Sequence, residues 1–99
     1  MKAKETKRQG EKGAVQKLYS NATQEEISEF YKRISDNIRI LREERGISQL
    51  DLALEIGIKS VAFYSNCENC RYGKHFNLEH CYKIAKALEI DLKDIFSLL

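Results

Sequence analysis

Apolar residues recur at helical intervals through most of the chain. Ile27, Tyr31, Ile34, Ile38 and Leu41 step by four and three residues behind Thr23-Gln24-Glu25-Glu26, a capping box that predicts a helix start. One helix of about 22 residues, roughly 33 Å at 1.5 Å per residue, satisfies the series up to Arg45-Gly46. A break near Ser35-Asp36 would give two helices instead, and either way one stripe is predicted to be buried. The spacing also suits a coiled-coil dimer, but it spans fewer than about four heptads and lacks a flanking charge pattern, so intramolecular packing is the better reading.

The segment 48–69, SQLDLALEIGIKSVAFYSNCEN, reads as two short helices joined by a sharp turn. Ser48 is an N-cap followed by Gln49, and Leu50, Leu52, Ala53 and Ile56 fit an amphipathic helix that stops at Gly57. The small Ala53 lets a second helix cross closely. Ser60 caps that second helix, which carries Val61, Ala62, Ser65, Asn66 and Asn69 on one side. Tyr64 and Cys67, with Phe63 as the neighbouring option, face the core. Surface helices usually point Lys, Glu or Arg outward, so a face of Ala, Ser and Asn asks for a flat partner. The major groove of DNA is one, since Asn pairs with adenine and Ala or Val methyls touch thymine methyls. An ordinary helical hairpin with a solvated polar face fits the same pattern.

Beyond this pair, 70–77 (CRYGKHFN) reads as a loop with Gly73 as its flexible point and Asn77 as the next N-cap. A helix from Leu78 to about Glu89 has a core face of Leu78, Cys81 or Tyr82, Ile84, Ala85 and Leu88. A last short helix starts at the cap Asp91. Its Leu92, Ile95, Phe96, Leu98 and Leu99 exceed what one small helix must bury, which suggests closure over the core or a dimer seam.

Ninety-nine residues with 42% hydrophobic and 32% charged side chains allow one domain with a small core. With no Pro, few Gly and no alternating β-branched run, the chain is expected to be all-α. No stretch approaches a membrane span and no apolar segment follows the first lysines, so a cytoplasmic protein without a secretory signal is expected. Residues 1–22 carry six basic residues against Glu5 and Glu11 and read as a flexible basic arm. Val15, Leu18 and Tyr19 could form one docking turn there. The remainder, 23–99, has eleven basic and thirteen acidic residues. Its cations nevertheless gather beside the second helix of the pair: Lys59, Arg71, Lys74, and His75 when protonated, stand against Glu68 alone. That asymmetry orients a protein on a polyanion.

Three cysteines fit a reducing compartment better than a disulfide framework. Cys67, Cys70, His75, His80 and Cys81 offer five potential ligands, so a zinc- or redox-responsive regulator is an alternative reading. Against it, Cys67 and Cys81 fall on core positions, and His75 and His80 are explicable as a loop base and an exposed helix residue. No bound metal or cofactor is therefore expected. Catalysis is not expected either, because no orienting group, oxyanion feature or sizeable pocket accompanies the Cys and His residues.

The order of parts, from Ile38-Arg39-Ile40-Leu41-Arg42-Glu43-Glu44-Arg45-Gly46-Ile47-Ser48-Gln49 through Leu52-Ala53, Gly57-Ile58 and Glu68 to Ile84-Ala85-Lys86-Ala87-Leu88, resembles the phage-repressor and Cro-type helix-turn-helix family. This family is also called the xenobiotic-response-element family, and the resemblance spans about residues 32–96. It implies a lambda-repressor-like five-helix DNA-binding domain over 23–99, here with an amino-terminal helical extension, whose third helix enters the major groove of double-stranded DNA. Homodimers on palindromic sites are usual, with half-sites roughly 34 Å apart. Carried over by position, Gln49 would contact a phosphate, Val61, Ala62, Ser65 and Asn66 would face base edges, and Asn69 would hold the backbone. Arg42 and Glu68 would form a partly buried ion pair, while Arg71, Tyr72 and Lys74 would grip phosphates, with Lys59 and Ser60 at the entry to the reading helix.

Three departures from the family pattern stand out. The interval from Gly57 to Glu68 is one residue longer, most simply with Lys59 added in the turn; shifting this register would exchange Phe63 for Tyr64 as core anchor. Cys70 replaces a glycine, and the loop after it is about two residues longer, extending the reach of Tyr72, Lys74 and His75. The extension before residue 32 has no family counterpart. The resemblance implies a transcriptional regulator, with a repressor as the leading role. Antitoxins that bind a toxin partner as well as their operator share the fold, as do restriction-modification controllers. With no effector domain in view, regulation is expected to come from protein concentration, a partner or the cysteines.

Overall fold

The computed structural model describes residues 21–97. All but the last two residues of the predicted basic arm lie outside the described residues, as do Leu98 and Leu99.

The chain forms five helices: α1 (Gln24–Glu44), α2 (Gln49–Glu55), α3 (Val61–Glu68), α4 (Leu78–Leu88) and α5 (Leu92–Phe96). A short 3-10 turn, Arg71–Gly73, lies between α3 and α4. Among the described residues there is no strand.

The start of α1 is held by both halves of the capping box: Glu26 N donates to Thr23 Oγ1 at 3.0 Å and Thr23 N donates to Glu26 Oε1 at 2.8 Å. The helix runs unbroken through Ser35-Asp36 for 21 residues. Only its second half is buried, however. Ile34 and Ile38 enter the core and Leu41 packs against it, whereas Ile27 and Phe30 are exposed. The predicted stripe thus extends beyond the body it packs on. The reason is length, since α2, α3, α4 and α5 have 7, 8, 11 and 5 residues and cannot cover a 21-residue helix along its whole length.

Ile34, Ile38, Leu52, Ala53, Ile56, Tyr64, Cys67, Cys81, Ile84, Ala85, Leu88 and Ile95 form the core together with Phe76. One assignment on α4 needs correction, since Leu78 is 77% exposed, and the choice between Cys81 and Tyr82 falls to Cys81, which is buried while Tyr82 is exposed. The place expected for Leu78 is taken by Phe76, just ahead of the helix, whose ring meets Tyr64 with centroids 5.3 Å apart. On α5, Ile95 is buried and Phe96 half-buried. The Asn37 amide of α1 donates to the Ile95 carbonyl at 2.9 Å and the Ser97 carbonyl at 3.3 Å, tying the last helix to the first.

Three helices stop by one device. After α1, α2 and α4 the sixth residue's N–H returns to the first: Ile47 N to Arg42 O, Ile58 N to Ala53 O, and Ile90 N to Ala85 O, at 3.2, 2.8 and 3.0 Å. Each isoleucine packs against the core, completing the Schellman motif with its apolar contact. The residue before it must adopt a left-handed backbone, which falls to Gly46, Gly57 and Glu89 with φ of 67, 83 and 58°. Glu89 alone carries a Cβ there, at a cost of roughly 1–2 kcal/mol. Glu89→Gly is therefore expected to raise stability by about 0.5–1 kcal/mol in urea denaturation, part of the gain being offset by the freedom of glycine in the unfolded chain. A loss of stability would show that the exposed Glu89 side chain contributes more than its backbone conformation costs.

Candidate nucleic-acid interface

α2 and α3 lie on either side of the turn at 56–60. Ser48 caps α2, accepting from Asp51 N at 3.0 Å, and Ser60 caps α3, accepting from Phe63 N at 3.1 Å. Lys59 lies exposed in the turn between them. Ala53 is fully buried where the two helices approach, consistent with the need for a small residue at that point.

The direction of each α3 side chain follows from this cap. Tyr64, Cys67 and Glu68 are buried and Phe63 is half-buried, so Tyr64 is the anchor and the register places the added residue in the turn. On the other side Val61 and Ala62 are exposed, and Ser65 and Asn66 are half-buried. This outward surface carries no carboxylate and no long side chain. Asn69 closes the helix and folds back on it, its amide donating to the Ser65 carbonyl at 2.8 Å and to Ser65 Oγ at 3.4 Å.

Beneath α3 a charged network fixes the helix to α1. Arg42 donates through Nε and Nη2 to the two oxygens of Glu68, at 2.9 and 3.0 Å, and through Nη1 to the Ile47 carbonyl at 2.8 Å. Glu68 also accepts from Tyr64 Oη and from Gln49 Nε2, both at 2.8 Å. Four donors thus converge on one buried carboxylate. Burial alone would raise the Glu68 pKa, but the Arg42 hydrogen bonds, followed by those of Gln49 and Tyr64, bring it below the usual carboxylate value. Burial, reinforced by the anionic partner, pushes the Tyr64 phenol far above its ordinary range. The Gln49 side chain is thereby engaged inward.

A second tie sits at the far end of α3. Ser35 Oγ donates to the Cys67 carbonyl at 3.0 Å, an oxygen that also accepts from Cys70 N at 3.2 Å. Cys70 then takes a left-handed backbone, φ 53°, at the position the family gives to glycine, and its thiol lies 3.5 Å from Ser35 Oγ. Tyr72 (φ 57°) and Gly73 (φ 71°) are left-handed as well, so the chain doubles back sharply beside α3. Tyr72 is 81% exposed and Lys74 is exposed. The ring of His75 stacks on Tyr31 of α1, with centroids 3.6 Å apart and planes at 14°, so the loop base is held by the helical extension instead of reaching outward.

The cysteines and histidines do not converge. Burial pushes the Cys67 thiol up to about 11, with Cys70 adding to the shift, and burial alone takes Cys81 to about 11. Both are protonated at neutral pH and neither is a ready thiolate ligand or nucleophile. His80 is not the exposed residue expected. Its Nδ1 accepts from Asn77 N at 3.1 Å while Asn77 Oδ1 accepts from His80 N at 2.7 Å, a reciprocal cap with histidine where Glu or Gln is usual. The ring packs edge-on against Phe63 and Phe76, and burial lowers its pKa, favouring the neutral form this cap needs. Among the described residues no group of three or more His, Cys, Asp or Glu side chains is placed to hold a metal.

Two helices crossing at a tight turn, the second with a short-chained outward face, a buried brace and cations at both ends, define a helix-turn-helix DNA-binding unit. The helix-turn-helix family model matches residues 38–95, more than half of the chain, and the chain belongs to this Cro/C1-type family of DNA-binding regulators. No curated protein and no solved structure matches it. Among the described residues no helix is long and apolar enough to cross a membrane.

Three features of the site were not anticipated from sequence: the inward turn of Gln49, the His80 cap, and the return of Arg71 over α3. The spacing Asn77-x-x-His80 is the capping signature with an unusual third member, so that signal was present. The other two depend on side-chain contacts across 19 and five or six residues that no local pattern encodes.

Proposed function

We propose that the protein is a sequence-specific transcriptional repressor of the cytoplasm that acts by occupying an operator, with α3 in the major groove. The observation that carries this reading is the outward surface of α3, where Val61, Ala62, Ser65 and Asn66 are free of long or acidic side chains while Lys59 precedes and Lys74 follows. Methyl groups and one carboxamide on a helix match the thymine methyls and the donor and acceptor edges of a major groove, and cations at both ends match the phosphate walls. Backbone N–H groups near Gln49 and Ser60, at the starts of α2 and α3, would face phosphates. Neither buried thiol is needed for this role, and it calls for no metal or cofactor.

A homodimer on a two-fold symmetric site is the assembly this reading calls for, with Leu92 and Phe96 of α5 as the apolar contribution. A basic arm at 1–22 would add sequence-independent attraction to the duplex.

Lys74→Ala separates charge from readout. Loss of one phosphate contact is expected to weaken binding to all duplexes alike and to lower the slope of log K against log salt by about 0.9. Fluorescence anisotropy at several salt concentrations measures both. An unchanged slope would remove Lys74 from the interface.

A further inference from the structure

We propose that Arg71 is a positioning residue for base readout, and that it sets the preference of Asn66 by holding one end of its carboxamide. This rests on the reading that α3 enters the major groove. The left-handed residues Cys70 and Tyr72, which flank Arg71, turn the chain back so that its guanidinium lies alongside α3. Its Nε donates to Asn66 Oδ1 at 3.4 Å and its Nη2 donates to Ser65 Oγ at 3.3 Å. A phosphate clamp on this loop would be expected to extend away from the helix, as the exposed Lys74 is free to do. Arg71 instead spans the two polar side chains of the reading surface.

The chemistry of the pair gives the contact a direction. A guanidinium has only donors, so the end of the Asn66 carboxamide that faces it must be the oxygen. The amino end is left as the free group, and it too can only donate. In the major groove a donor requires an acceptor, which guanine offers at N7 and O6, thymine at O4 and adenine at N7. Pairing with both N6 and N7 of adenine would need the same oxygen to accept a second hydrogen bond beside that of Arg71, whose positive charge makes it a poorer acceptor while polarising the amino end as a donor. Arg71 therefore biases Asn66 away from two-bond adenine recognition and toward acceptor-rich edges, guanine above all. At 3.3–3.4 Å both contacts exceed the usual 2.7–3.2 Å range, so the guanidinium is drawn over the helix without being locked there. Lysine does not reproduce the arrangement, because its single ammonium lacks the rigid planar fork that presents two separate nitrogens to the two oxygens.

The test is selection from a randomised duplex pool with the full-length wild type, Arg71→Ala, Arg71→Lys, Asn66→Ala and the Arg71→Ala/Asn66→Ala double variant, followed by affinities on the selected site. Arg71 is exposed, and thermal melting of each variant checks that the fold is retained. Wild type is expected to prefer guanine at the position where Asn66→Ala loses its preference. Arg71→Ala should shift that position toward adenine. On the selected site the double variant should bind within about twofold of Asn66→Ala alone, since Arg71 exerts its effect on readout through Asn66. Arg71→Lys should retain the salt slope without restoring the guanine preference. The proposal is overturned if Arg71→Ala weakens every duplex by one factor, adds fully to Asn66→Ala and is rescued by lysine, which is the behaviour of a phosphate clamp. Enrichment of no sequence by wild type overturns both this proposal and the groove reading on which it rests.

Discussion

Arg42→Ala is expected to destabilise the domain by about 3–5 kcal/mol, the range for removing one partner of a buried ion pair. The substitution strands Glu68, which is 1% exposed, with its charge uncompensated, and removes the donor to the Ile47 carbonyl at the α1–α2 turn. Small domains have only about 5–15 kcal/mol in total, so the variant should melt many degrees lower or fail to fold at ordinary temperature. Glu68→Ala should cost a similar amount, because it strands Arg42 and also leaves Tyr64 Oη and the Gln49 amide without their acceptor. Replacing both charges by apolar residues of similar size should cost far less than either single change, since the penalty lies in the unpaired charge. Urea denaturation measures each. A loss below about 1 kcal/mol for Arg42→Ala would mean that the site admits water and braces nothing.

The same network sets the response to acid. Glu68 has a folded-state pKa below the ordinary glutamate value of 4.5, so its contribution is full above about that pH and is lost as the pH falls through the lower folded value. His80 acts in the same direction at higher pH. Its pKa is depressed below 6.5, so the cap it makes with Asn77 contributes above that value and weakens as the imidazole is forced to protonate. Stability should therefore begin to fall just below pH 6.5 and fall again below pH 4.5. With His80→Gln, which keeps an acceptor at the third helical position, the first of these steps should disappear.

The second large effect concerns binding. Asn66→Ala is expected to lower affinity for the preferred duplex by about 1–3 kcal/mol, roughly 5- to 150-fold, while leaving nonspecific binding nearly intact. Asn66 is half-buried beside Ser65 and Arg71 and supports no core residue, so the loss would come from readout and not from the fold. Competition by unrelated DNA distinguishes the two. Equal losses on both duplexes would sink the assignment of Val61, Ala62, Ser65 and Asn66 as the base-facing set.

Most of the architecture was legible because the devices that make it are local. Thr23, Ser48, Ser60 and Asn77 each announce a helix start by residue type and spacing, and Gly46 and Gly57 announce two of the stops. The register of α3 followed from placing the extra residue at Lys59, which puts Tyr64 inward and the short residues outward. Burial along α1 was misjudged because periodicity reports which side of a helix is apolar and says nothing of how far its neighbours extend. Ile27 continues the pattern past the end of the bundle. Leu78 was misjudged for a related reason, since Phe76 lies outside the helical repeat and fills the core from the loop. The contacts of Gln49 and Arg71 were out of reach because they are made between side chains that only the fold brings together, and the left-handed backbones at Cys70 and Tyr72 that turn Arg71 back have no glycine to mark them.

The central claim, that α3 reads a specific DNA sequence, is tested most directly by binding to duplexes from around the protein's own gene, by gel shift or anisotropy with excess competitor at two salt concentrations. A discrete complex that survives competitor, on a site with two-fold symmetry and half-sites about one helical turn apart, is the expected result. Binding that competitor removes entirely, and that falls with salt equally on every duplex, would contradict it and leave the helix-turn-helix as a fold without sequence-specific readout.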